Sequence, residues 1–148
     1  MHIFAIANQK GGVGKTTTAV NLAAALAANG QRTLLVDLDP QGNATMGAGV
    51  DKRNLQSSVY QVLLQLATLE RARVASPSGK FDVLPANRDL AGAEVELVDL
   101  EVREMRLKAA LAAHRSDYDF VLIDCPPSLS MLTLNGLCAA HGVIIPMQ

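Results

Sequence analysis

The stretch "IFAIANQKGGVGKTTTAVNLAAALA", Ile3 to Ala27, constrains the fold more than any other part of the chain. A short β-rich run enters a glycine-rich turn, and a long helix-forming run leaves it. Gly11, Gly12 and Gly14 carry no Cβ, so successive backbone N–H groups can turn inward and close around an anion. The positive end of the following helix faces the same point. Lys15 and Thr16 follow at the spacing at which an ammonium reaches the outer phosphates of a nucleotide and a hydroxyl meets a divalent ion. The pattern G-x-x-x-x-G-K-[ST] is nearly complete. Where it opens with glycine this chain has Gln9, and a second lysine, Lys10, comes next.

A loop of this kind needs a sheet to sit in, and the rest of the sequence supplies one. Runs over Ile3–Ala7, Thr33–Asp39, Lys80–Ala86, Asp119–Asp124 and Gly142–Met147 are short, apolar and mostly without polar alternation. That pattern predicts strands covered on both faces of a parallel sheet. Between them, Lys15–Ala28 reads as a helix so apolar that it is expected to lie buried against the sheet, stopped by Asn29-Gly30. Ser57 and Ser58 are candidate caps for a short helix through "VYQVLLQL". Leu90–Arg115 is expected to be one long helix with Val98, Val102, Met105, Ala109 and Ala112 on its buried face. Its outer side would pair Asp99 with Arg103 and Glu104 with Lys108. "ASPSGK" (Ala75–Lys80) reads as a surface turn. Strand–helix alternation predicts an α/β, doubly wound, mainly parallel sheet with right-handed crossovers and helices on both faces.

At 148 residues the chain is the size of one domain, 1–148. A domain of that size buries roughly 68–70% of its unfolded surface, so its core needs no covalent staples. Aromatics make up only 3% against 49% apolar residues, which leaves the core to Ala, Val, Leu and Ile. The net charge of −1, without a basic run, gives no compositional case for nucleic-acid or membrane affinity. Cys125 and Cys138 fit no zinc or redox spacing and read as buried thiols of a reducing compartment. The first residues lack a basic leader, and no apolar run approaches the roughly 18–20 residues of a membrane helix. A soluble, intracellular protein is expected. The closing "GVIIPMQ" is a central-type strand with no helix after it, and a continuation is expected there.

Two further carboxylates bear on the loop. Asp124 ends the apolar strand "DFVLID" and is the candidate for the metal side of a phosphate site, or else a simple turn cap. Asp39 ends "LLVDLD" and is either a turn former before Pro40 or an acid that orients an attacking water. Ligands of doubly wound sheets gather at the carboxyl ends of strands, so both acids are expected to converge on the loop. Asp37 lies on the same strand side as Asp39, and bonding to the loop is as plausible for it as catalysis. Lys10 reads equally as a solvated surface lysine or as a cation aimed at a phosphate.

Together, "KGGVGKTT", "LLVDLDPQGNAT" and "VLIDCPPSLSMLTLNGL" resemble the ParA/Soj partition ATPases, in the deviant Walker A group of P-loop NTPases that includes the MinD proteins. The resemblance runs over the whole chain, "ANRDLAGAEVELV" included. It implies ATP and Mg²⁺ as ligands. Lys10, Gly11, Gly12, Val13, Gly14, Lys15, Thr16 and Thr17 would cradle the nucleotide. Thr16 and Asp124 would face the metal, and Asp39 would position water. Lys10 would cross the interface of an ATP-bound homodimer to the partner's nucleotide, acting with Lys15 and Asp39 in catalysis. The resemblance further implies a weak Mg-dependent ATPase for chromosome or plasmid partition, cytoplasmic and nucleoid-associated. Its dimer would bind DNA non-specifically and respond to a ParB-like stimulator, with no membrane contact. Relatives continue past the position of Gln148, and the DNA surface and adenine contacts are expected in that part. The competing expectations are a non-hydrolysing phosphate-binding fragment and a MinD-like positioning ATPase. The partition version of the second motif, "DLDPQGNAT", argues against the latter.

Overall fold

In the computed structural model, which describes residues 1–7 and 13–146 apart from the side chain of Val13, the predicted layers form. The chain runs β1 (His2–Ile6), α1 (Val13–Ala28), β2 (Thr33–Asp37), α2 (Asn43–Gly47), α3 (Val59–Leu63), α4 (Leu69–Ala72) and β3 (Val74–Ala75). It continues through β4 (Asp82–Leu84), α5 (Leu90–Glu96), α6 (Arg106–Ala112), β5 (Phe120–Asp124), α7 (Met131–Ala139) and β6 (Gly142–Ile144). The strands form one sheet in the order β3-β4-β2-β5-β1-β6. All pairings are parallel except the edge pair, where β3 runs antiparallel to β4. That two-residue edge strand was not anticipated, since Val74 and Ala75 are too few to show a period.

Alternate strand residues feed two cores on opposite faces. Leu34, Val36, Val121 and Ile123 pack with α3, α5, α6 and α7, whereas Leu35, Leu122 and Val83 pack with Ala19 and Ala23 of α1. Helices therefore cover both faces, as the unbroken apolar strands require. α1 departs from expectation in one respect. Only one stripe of it is fully buried, while Ala25 and Ala28 are exposed, because methyl side chains tolerate water at little cost.

The predicted long helix over Leu90–Arg115 is broken. Single 3-10 turns at Leu97–Asp99 and Arg103–Met105 separate α5 from α6, and Val102 sits in the left-handed region at φ 49°. Val98 and Val102 are exposed rather than buried, and Asp99 and Arg103 lie on opposite sides of the break. The residues that are buried are Leu90, Ala93, Leu97, Leu107 and Leu111. Across the break, Leu90, Ala93 and Leu97 of one part and Leu107 and Leu111 of the other join one core. Buried Asn135 of α7 bonds the interrupted backbone. Its Oδ1 accepts from the Leu107 N–H at 3.1 Å, and its Nδ2 donates to the Arg103 carbonyl at 2.8 Å. Glu94 of α5 in turn accepts the first amides of α7, Met131 N–H at 3.0 Å and Leu132 N–H at 3.1 Å. α7 is thus tied at its first residues by Glu94 and at its middle by its own Asn135.

Of the two candidate serine caps, Ser58 is the one used. It forms a reciprocal capping box with Gln61 at the start of α3. The turn before the third predicted strand falls at residues 77–79, and the strand itself shortens to Asp82–Leu84. Tyr118 fastens this edge: its hydroxyl donates to Asp82 Oδ2 at 2.7 Å and accepts from Arg73 at 2.8 Å.

The left-handed Val102 generates a prediction. A β-branched residue is strained there, and its side chain is 64% exposed, so little burial would be lost on replacement. Val102→Asn is expected to stabilise the fold by about 1 kcal/mol, since asparagine visits that region readily. Urea denaturation checks this, and a destabilised variant would contradict it.

Candidate nucleotide site

Lys10, Gly11 and Gly12 lie outside the described residues, as does the Val13 side chain, and their predicted roles are not placed. Gly14, Lys15, Thr16 and Thr17 occupy the first turn of α1, where Thr18 Oγ1 donates back to the Gly14 carbonyl at 2.7 Å. The parallel register sets Asp124 at the end of β5 beside Ile6 of β1 and Asp37 of β2. The loop after β1 and the helix after it therefore meet the β5 carboxylate at one sheet end.

The central contact is an ion pair. Lys15 Nζ donates to Asp124 Oδ1 at 2.6 Å, and Thr16 Oγ1 donates to Asp124 Oδ2 at 3.2 Å. Both partners of the pair are buried, Lys15 at 3% and Asp124 at 0% exposure. Burial pushes the Asp124 carboxyl above its ordinary range, and this outweighs the opposing pull of the Lys15 charge and the two hydrogen bonds. No group of three or more metal-binding side chains gathers among the described residues. The oxygens of Thr16 and Asp124 nonetheless suit a hard ion that takes one or two protein oxygens and completes its shell with phosphate and water. The donor set fits magnesium in that mode.

Asp39 is not at a strand end as predicted. β2 stops at Asp37, and Asp39 lies in the loop beyond it, because its amide is taken by Asp37 Oδ1 at 3.0 Å instead of a neighbouring strand. It still reaches the same place. A cleft of about 520 Å³ is lined by Lys15, Thr16, Thr17, Asp39, Gln41, Asn43 and Pro127. Asp39 Oδ1 accepts the Gln41 N–H at 3.0 Å, which closes an Asx turn. Oδ2 has no bonded partner among the described residues. Sequence reasoning did not single out Gln41, Asn43 or Pro127. The signal was available in "DPQGN", whose Pro and Gly mark a tight turn just past the acid and return the chain to the cleft.

The open question over Asp37 resolves toward structure. Its Oδ2 accepts from Thr45 N–H at 2.9 Å and Thr45 Oγ1 at 2.7 Å, and it is fully buried. It ties the loop over residues 38–44 back to β2 and lines no part of the cleft. Of the cysteines, Cys125 is buried and its thiol is pushed up to about 12, while Cys138 is half-buried in α7; both are free. A larger cavity of about 740 Å³ lies among α3, α4 and α6, lined by residues such as Gln65, Arg71 and Arg106. It contains neither Lys15 nor Asp39, and the meeting of cation, hydroxyl and carboxylate in its lining identifies the smaller cleft.

A family model described as an AAA domain matches residues 1–148. The chain belongs to that family. Within it the sequence is of the ParA/Soj type, 54% identical over 146 residues to the sporulation initiation inhibitor protein Soj of Bacillus subtilis, covering 99% of this chain and 58% of Soj. It is 52% identical over 146 residues to the chromosome partitioning protein ParA of Myxococcus xanthus, covering 99% of this chain and 52% of that protein. Among solved structures, a Mycobacterium smegmatis protein named cobyrinic acid a,c-diamide synthase, with bound ATP analog and magnesium, superposes with a TM-score of 0.97. It is 53% identical and is matched over 100% of this chain and 60% of its own. The ParA/Soj-type chain thus spans about half the length of the curated relatives it matches. In the described residues no helix is long and apolar enough to cross a membrane.

The Asp37 carboxyl carries a pH prediction. Burial first, and the neighbouring Asp124 charge second, raise it from 3.8 to about 7. Between those values the folded chain holds a proton that the unfolded chain has lost, so this contribution is fullest below about pH 4 and disappears as pH rises through 7. Asp37→Asn is expected to flatten the fall in unfolding free energy between pH 5 and 7, measured by urea titration at stepped pH. An unchanged slope would remove Asp37 as its source.

Proposed function

We propose that the chain is the nucleotide-binding part of an ATP-dependent partition switch. ATP and Mg²⁺ bind at the cleft, the ATP form dimerises, and the dimer holds DNA non-specifically until a ParB-like partner stimulates slow hydrolysis. The setting is the bacterial cytoplasm, on the nucleoid. The observation that carries this reading is the convergence of Lys15, Thr16 and Asp124, with Asp39 across one cleft from them. The partition names of relatives more than 50% identical support it.

Each residue has a distinct task in this scheme. Lys15, already held in place by a buried carboxylate, offers a cation to the outer phosphates with little reorganisation. Thr16 and Asp124 hold magnesium, which neutralises charge on the phosphates when bound. Asp39, with one oxygen tied to the Gln41 amide, keeps the other to accept a proton-side contact from water. Lys10 reaches from one protomer to the partner's nucleotide and stabilises charge on the transferring group, as a cation supplied in trans does. Hydrolysis then acts as a timer, because the γ-phosphate contacts that hold the dimer vanish with it.

A second reading comes from the M. smegmatis name, which describes an amide-forming synthase. The two differ in what accelerates ATP turnover: DNA and a partition partner in one case, a carboxylic acid and a nitrogen donor in the other.

Lys10→Ala is expected to retain ATP binding, lose ATP-dependent dimerisation, and lower stimulated turnover about a thousandfold. Light scattering with ATP that still shows a dimer would sink the trans-lysine role. Asp39→Ala should hold the ATP dimer without turnover, and normal phosphate release from that variant would remove Asp39 from catalysis.

A further inference from the structure

The loop that carries Asp39 is fastened from two sides. From the sheet, Asp37 accepts the Asp39 amide and both donors of Thr45, and the Thr45 hydroxyl accepts the Ala86 N–H at 2.9 Å. From outside, Lys52 Nζ donates to the backbone carbonyl of Gln41. A lone exposed lysine–carbonyl contact contributes little, because a flexible stem must be held still to make it. Here the stem is itself seated. Gly42 stands at φ 68°, and a Cβ added to it would meet Lys52 Cδ at 2.8 Å and the Ala86 carbonyl at 2.9 Å. The aliphatic part of Lys52 therefore occupies the space that glycine leaves, while its ammonium bonds the preceding carbonyl.

The base of the lysine is equally fixed. Lys52 opens a 3-10 turn capped by Asp51, whose Oδ1 accepts the Arg53 N–H at 3.0 Å and whose Oδ2 accepts from Asn54 at 2.8 Å. Just upstream, Val50 is buried and its N–H bonds the Thr45 carbonyl at 3.1 Å. Ser76 Oγ donates to the Ala48 carbonyl at 2.7 Å and joins this segment to the sheet edge. A rigid base, a packed stem and a bonded head make a strut between the 48–54 segment and the peptide two residues after Asp39.

We infer that Lys52 is a positioning residue for Asp39, acting through the Gln41 carbonyl. The peptide it holds donates its N–H, that of Gly42, to the Asp39 carbonyl at 2.8 Å, and the Gln41 N–H on the other side of the same residue bonds Asp39 Oδ1. Fixing that unit fixes the carboxylate relative to Lys15 and Thr16 across the cleft. Lys52 itself is absent from the cleft lining. The inference rests on the catalytic reading of Asp39 given above.

The test uses Lys52→Met, which keeps the stem and deletes the donor, and Lys52→Arg, which restores one. Turnover at saturating ATP, KM for ATP, melting temperature and amide hydrogen exchange at Gln41 and Gly42 are measured on each. Lys52→Met is expected to lower kcat about tenfold with KM within about twofold, since a displaced catalytic group costs rate rather than binding. Exchange at Gln41 and Gly42 should quicken by a similar factor, and Lys52→Arg should recover both readouts. A Lys52→Met variant with wild-type kcat and exchange overturns the inference. So does a KM rise at constant kcat, which would make the ammonium a phosphate contact, or a kcat loss that arginine fails to rescue. If the parent chain hydrolyses no ATP, the partition-ATPase reading falls, whereas faster exchange in Lys52→Met with rescue by arginine still supports the strut.

Discussion

The buried pair of Lys15 and Asp124 is the interaction on which the rest of the molecule is organised. Removing two charges from water costs several kcal/mol per ion, and mutual attraction offsets that only where geometry is close and remaining valences are met. Both conditions hold, with a 2.6 Å contact and a Thr16 hydroxyl on the second carboxylate oxygen. An apolar pair of similar volume would hold the same helix against the same strand at least as well. In the function proposed above, the pair is chemistry stored in the fold: a cation and an acid kept ready for an anion and a metal. Everything around it serves placement. The parallel sheet delivers Asp124, α1 delivers Lys15 and Thr16, and the loop after β2 brings Asp39 to the opposite wall.

The sheet and the phosphate loop were legible because their signals are local and dense. Five of the six strands announced themselves as short apolar runs, and Lys15, Thr16 and Asp124 stood at motif positions whose roles follow from backbone geometry. The central helical segment was misread for a physical reason. Val98, Val102 and Met105 keep a helical period, but so do Leu90, Ala93 and Leu97, and sequence alone does not rank two competing faces. What decides is the buried amide of Asn135, 28 and 32 residues from its two partners, which bonds the interrupted backbone. Asp39 shows the same limit in miniature. It was placed on the strand because its neighbours are apolar, yet Asp37 captures its amide and turns the chain out of the ladder.

Asp37 also illustrates how a site can depend on a residue that never touches it. Its three accepted hydrogen bonds hold the loop, and its burial beside Asp124 raises its proton affinity. Removing the side chain would leave Thr45 and the Asp39 amide seeking partners in a dry interior, which is costly for each unmade bond. The loop over residues 38–44 is thus braced by a carboxyl from the sheet side, and the 48–54 segment braces it from the other.

The register of β2 against β5 has a further consequence. Asp37 faces Asp124 in the same ladder in which Leu34, Leu35, Val36 and Ile123 are sorted to their two cores. Because side chains alternate with period two, a one-residue slip would send every leucine to the wrong layer and both acids away from their partners. A chain that assembles its interior correctly has therefore assembled its active groups correctly as well. Folding itself performs the inspection, and a misregistered molecule is discarded as unstable before its site can be used.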